Sequence, residues 1–139
     1  MQQCSFSSLK IGDKGEIKRI FTESDVIRFS ELSLDTNPVH IDKDFAEKTV
    51  FGERIVHGML VASLISAVVG TKMPGTGSIW IDQNLRFLKP VKINDEIRAV
   101  SELIAKIPER QQVIIRTACY NQKNELVVEG EGLHKILNP

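Results

Sequence analysis

Cysteine is nearly missing from this chain: Cys4 and Cys119 are its only two. That is too few for a disulfide framework, and no C-x-x-C pair suggests zinc or redox work. Reduced thiols in a cytoplasmic compartment are the simplest inference. Cys119, in an alternating run, reads as a small buried hydrophobe, and Cys4 as an exposed residue of a polar N-terminus. Charge of either sign in excess is also missing. Eighteen Lys and Arg balance eighteen Asp and Glu, and no Lys/Arg run exists, which argues against a nucleic-acid partner. No apolar run is long enough to span a bilayer, since Met59 to Val69 is short and interrupted by Ser63 and Ser66, so no membrane partner is expected. Met1 to Leu9 lacks the basic and apolar parts of a secretory signal and the arginines of a mitochondrial presequence. The end Ile136-Leu137-Asn138-Pro139 is not a peroxisomal address. Gly70-Thr71-Lys72 follows a helix where a phosphate loop would precede one. No serine sits in G-x-S-x-G. Aromatics are 6% of the chain, and Trp80, Phe87 and Tyr120 read as core or interface residues.

What is present is an ordinary globular balance, 42% hydrophobic and 26% charged over 139 residues. This suits a single domain over residues 1–139, and no linker, repeat or low-complexity segment divides it. Gly15 to Phe21 reads as a strand. Thr22 then caps a helix with Asp25 as its capping-box partner; Val26, Phe29, Leu32 and Ser33 form one face, and the helix ends near Leu34. Asp42 caps a short helix through Phe45 and Ala46, and Val50 to Glu53 is a loop. His57 to Val69 is apolar nearly all round, which predicts a buried helix. Beyond the Pro74-Gly75 turn, Ser78 to Leu88, Glu96 to Ile107, Gln112 to Tyr120 and Leu126 to Ile136 read as strands with short connections. Strand, helices and then a run of strands predict an α+β fold, with helix packed on an antiparallel sheet. Unpaired sheet edges suit dimerisation.

Two segments carry candidate chemistry. Asp35-Thr36-Asn37-Pro38-Val39-His40 sets a carboxylate and an imidazole five positions apart. Asp and His together handle water and its protons near neutral pH. The proline keeps Asn37 out of the helical region and stiffens the link. The same pattern also makes an ordinary turn after a helix. In Arg54-Ile55-Val56-His57-Gly58-Met59, a helix start leaves backbone N–H groups unpaired. Gly58 N–H could there polarise a carbonyl oxygen, the logic of an oxyanion hole. A helix start chosen for tight packing is the competing explanation. His57 could bind substrate or metal, but a structural role as cap and hydrogen-bond partner is favoured. Asp35, His40 and His57 are suitable metal ligands, yet their spacings match no common zinc pattern, so no metal is expected. His134 lies in a strand with no evident partner.

Together these runs resemble the MaoC-like (R)-specific enoyl-CoA hydratases. The resemblance rests on Phe29 to His40 with Ala46, Arg54 to Leu60, Pro74 to Ser78, Phe87 to Val91 and Asn94 to Glu96. It spans about Leu9 to Ile136 and is closest to the short hydratases of polyhydroxyalkanoate supply. One departure is Leu34, where the family often has glycine. The resemblance implies a hot-dog fold, a long central helix wrapped by an antiparallel sheet, paired into a homodimer. It implies hydration of trans-2-enoyl-CoA to (R)-3-hydroxyacyl-CoA, with no cofactor beyond the coenzyme A on the acyl-CoA substrate. Catalysis would fall to Asp35, His40 and the Gly58 N–H. Asn37 and Pro38 would shape the loop, and Asn37, His57, Ser66 and Val69 would bind substrate, the last two along the acyl chain. The alternatives are a 3-hydroxyacyl-ACP dehydratase, a hot-dog thioesterase, and a non-catalytic acyl-CoA-binding module.

Overall fold

The computed structural model describes residues 3–137. Met1, Gln2, Asn138 and Pro139, part of the reading of targeting signals, lie outside the described residues. β1 (Lys14–Ile20) leads into α1 (Glu23–Ser33), and two short helices follow, α2 (Pro38–Ile41) and α3 (Lys43–Glu47). The long helix α4 (Gly58–Thr71) precedes β2 (Ser78–Gln83), β3 (Arg86–Phe87), β4 (Glu96–Ile107), β5 (Gln112–Tyr120) and β6 (Leu126–Ile136).

Local chemistry explains the helix starts. Thr22 Oγ1 accepts the Asp25 N–H at 3.2 Å, and the Asp25 carboxylate accepts the Thr22 N–H at 3.0 Å. This reciprocal box satisfies two donors that a bare helix end leaves open. Asp42 caps α3 more simply, its carboxylate accepting the Phe45 N–H. The expected single strand from Ser78 to Leu88 is instead two. A bulge lies between Trp80 and Asp82, and pairing with β6 lapses before Arg86.

All pairings are antiparallel, in the order β1-β4-β5-β6-β2, with β3 also on β6. The β4-β5-β6 meander supplies Ile97, Ala99, Leu103, Val113, Ile115 and Cys119 to a core. Val61, Leu64, Ile65, Val68 and Val69 of α4 fill it from the other side. This is a helix embraced by a sheet, the α+β hot-dog arrangement. Among the described residues, no helix is long and apolar enough to cross a membrane.

Three expectations are corrected. α4 is not buried all round: Met59, Ser63, Ser66 and Gly70 form an open stripe. In α1 the inward residues are Val26 and Ser30, whereas Leu32 is 83% exposed. Val26 and Ser30 are four residues apart and share a face, so the inner face is polar at its second position. Cys4 is half-buried against the core rather than exposed. Cys119 is fully buried, as expected of a small buried hydrophobe, and burial pushes its thiol up to about 12.

Candidate active site

The site forms where the end of α1, the loop into α2 and the start of α4 meet. α1 stops at Leu34, whose φ of 67° is left-handed. That turn reverses the chain and presents Asp35. Its N–H donates to Ser33 Oγ at 3.1 Å, and its carboxylate accepts the Asn37 N–H at 3.2 Å. Asn37 in turn caps α2 by accepting the Val39 N–H at 3.2 Å, with Pro38 at the first helical position. Proline suits that position because its missing N–H would have no partner there. The short helix α2 was not foreseen, and it sets the Asp35–His40 relation. One turn of helix carries His40 from the exposed loop into a buried position.

His40 Nδ1 lies 2.8 Å from the Ile55 carbonyl. A carbonyl only accepts, so Nδ1 carries a hydrogen, and in the neutral ring Nε2 is the lone pair. His57, the N-cap of α4, is 1% exposed and stacks on His40 with ring centroids 3.9 Å apart. Its Nε2 lies 3.1 Å from the Asp35 carbonyl and 3.0 Å from Ser30 Oγ. Burial pushes the His57 pKa down, and the neighbouring His40 adds to this. The Asp35 carbonyl and the Asp35 charge oppose it.

Asp35, His40 and His57 each bring one ligand-type atom within 4.8 Å of the others. Gly58, next in chain to His57, opens α4. Its N–H precedes the first hydrogen-bonded turn, in which Leu60 and Val61 N–H bond to the His57 carbonyl. It therefore has no acceptor within the helix. A Cβ on Gly58 would lie 2.8 Å from the Phe87 ring, so glycine lets the ring approach this closely. Phe87, Gly58, Phe51, Ile55, Val61 and Leu88 line an apolar cleft of about 380 Å³. Arg54 is held to Glu23 of α1 by an ion pair of 3.1 Å, tying the segment before α4 to α1.

Asp35, His40, His57 and the start of α4 are thus brought together. Ser66 and Val69 are placed differently. Ser66 is exposed on the open stripe of α4, and Val69 is 3% exposed within the core. At 1.5 Å per residue, Ser66 lies about 12 Å along the helix from Gly58. Asn37 is exposed with its side-chain oxygen engaged in the cap. Two contributors escaped the sequence reading. The Phe87 ring against Gly58 carried no signal beyond its place in a motif. Ser30 was detectable only as a serine in step with Val26 on the inner face of α1. His134 stacks on Trp80 at 6.0 Å, and both its ring nitrogens are buried without a hydrogen bond.

A carboxylate and an imidazole beside the start of a helix are the arrangement that the sequence resemblance implied. An (R)-specific enoyl-CoA hydratase of Rhodospirillum rubrum is 43% identical over 91% of this chain and 88% of its own length. A mitochondrial 3-hydroxyacyl-[acyl-carrier-protein] dehydratase of Arabidopsis thaliana is 38% identical over 92% of this chain and 81% of its own. The solved (R)-hydratase from A. caviae, described as involved in PHA biosynthesis, superposes with a TM-score of 0.90. It is 40% identical, covering 93% of this chain and 98% of that one. The MaoC-like domain profile matches residues 9–124, and with the fold in agreement, the chain belongs to the MaoC-like domain family.

Proposed function

We propose that this protein is an (R)-specific enoyl-CoA hydratase, adding water reversibly across the 2,3-double bond of a trans-2-enoyl-CoA. The observation that carries this is the convergence of Asp35 and His40 beside the free N-terminus of α4. A water between the Asp35 carboxylate and His40 Nε2 donates one hydrogen to each, leaving its lone pair directed at C3. Asp35 takes one proton as the C3–O bond forms. The π electrons move toward the thioester carbonyl, whose oxygen gains charge and accepts the Gly58 N–H. C2 then takes a proton from the Asp35–His40 pair, which restores the site. Atoms balance as one hydroxyl on C3 and one hydrogen on C2.

The reaction needs no cofactor beyond the coenzyme A carried by the substrate. The proposed steps also use no metal, since Asp35 and His40 move the protons and the Gly58 N–H takes the developing charge. The free thiols suit a cytoplasmic setting. One continuous core supports a single domain. A homodimer is supported by β2, which ends the sheet order after β6 and carries half-exposed Ile79 and Ile81.

The similarity to the Arabidopsis dehydratase favours one second reading, the same chemistry on an acyl-carrier-protein thioester. Rates on matched CoA and carrier-protein substrates separate the two. Loss of crotonyl-CoA absorbance, with (R)-3-hydroxybutyryl-CoA as product, is the expected result. Release of free thiol without loss of the double bond would instead indicate a thioesterase.

A further inference from the structure

We infer that His57 is a positioning residue of the reaction: anchored by Ser30, it fixes the Asp35 backbone and the His40 ring against the start of α4. The inference rests on the hydratase reading and adds to it a residue that touches neither water nor thioester.

The geometry assigns the tautomer. The Asp35 carbonyl can only accept, so the hydrogen sits on His57 Nε2. Ser30 Oγ, at 3.0 Å from the same nitrogen, is a second acceptor for that N–H. Nδ1 is then a bare lone pair, buried without a partner. Protonating it would create an orphaned buried donor, the costlier of the two defects. The ring therefore stays neutral. Its faces are occupied as well: His40 stacks at 3.9 Å with 26° between planes, and Phe29 meets it edge-on at 4.9 Å.

One side chain thus touches the Asp35 loop and the His40 ring, while its own backbone leads into Gly58. A neutral ring there sets no charge against the His40 ring stacked on it. No polar atom of His57 faces open space, since the residue is 1% exposed. Recognition of substrate is therefore not its role.

The test compares His57→Gln with His57→Phe in the full chain. Glutamine can place an amide N–H near the Asp35 carbonyl, whereas phenylalanine keeps the stacked ring and loses the donor. With crotonyl-CoA, His57→Phe should lower kcat roughly 10- to 100-fold, the scale of a small misplacement of reacting groups, with KM within about threefold. His57→Gln should recover most of that loss. Equal activity of the two variants, or a defect confined to KM, overturns the inference. Should His57→Phe fail to fold, Ser30→Ala makes the milder comparison: a lowered kcat at constant KM supports positioning, and a wild-type kcat contradicts it. If the wild type itself does not hydrate crotonyl-CoA, the hydratase reading fails and the positioning is read separately by NMR. His40 ring resonances that move in His57→Phe and return in His57→Gln support it, and unmoved resonances overturn it.

Discussion

Leu34 holds Asp35 in place through a backbone conformation it is poorly suited to. Its φ of 67° is left-handed, which costs a residue with a Cβ roughly 1–2 kcal/mol. The side chain is 82% exposed, so it recovers little by packing. Leu34→Gly should therefore raise the urea midpoint modestly, because the greater freedom of glycine in the unfolded chain offsets part of the relief. Leu34→Val should lower stability by about 1 kcal/mol or more, since a β-branched residue suits that region least. Equilibrium unfolding of both variants checks the sign. His134 gives a pH prediction. Burial pushes its pKa down to about 4, whereas the unfolded ring titrates near 6.5. The unfolded chain thus binds the extra proton between these values. Stability is full above about pH 6.5 and falls as pH drops toward 4. Burial lowers His57 too, with the same sign. His134→Phe should lose less stability than wild type between about pH 7.5 and pH 5, measured by urea midpoints. Asp35, His40 and Gly58 could be picked out in the sequence because each stands in a short motif with its own chemistry. Ser30 could not, because its partner is 27 residues away and only the fold brings them together.

Helices and strands were legible wherever period and punctuation agreed. β4, β5 and β6 match their sequence-derived limits because alternation is regular and turns bound each strand. The Thr22–Asp25 box located the start of α1. The inner face of α1 was misjudged at Leu32, which hydrophobicity favoured, while tertiary contact selects Ser30 for His57. α2 was hidden because four residues beginning at the proline of Asn-Pro read equally as a turn. The single strand drawn through Ser78 to Leu88 missed the bulge, which composition does not encode. The start of α4 can be tested directly. In Gly58→Ala the new methyl meets the Phe87 ring at 2.8 Å, and Phe87 is half-exposed and free to give way. Stability should change by no more than about 1 kcal/mol, since alanine is the better helix former. The displaced ring and methyl should crowd the N–H, so kcat/KM should fall about tenfold or more. Unfolding curves and steady-state rates on the same preparation separate the two effects.

Among the described residues, the sheet is open at both ends, β1 and β2, and α4 carries an open stripe. β2 pairs with β6 on one side only, and Ile79, Trp80 and Ile81 are 40 to 50% exposed. A second copy along this edge would hide them, and edges left bare invite uncontrolled pairing. Ile79→Lys with Ile81→Lys should shift the protein from dimer to monomer in light scattering. A wild type that is already monomeric would contradict the proposed dimer. Absence of a metal requirement is checked by prolonged chelation, after which the crotonyl-CoA hydration rate should be unchanged. The central claim is that Asp35 and His40 act on one water. Hydration of crotonyl-CoA by wild type, Asp35→Asn and His40→Gln, with chiral analysis of the product, tests it most directly. The wild type should give the (R)-3-hydroxy product, and each folded variant should be slower by roughly 10²–10⁴. A folded Asp35→Asn protein that hydrates crotonyl-CoA at the wild-type rate would contradict the account.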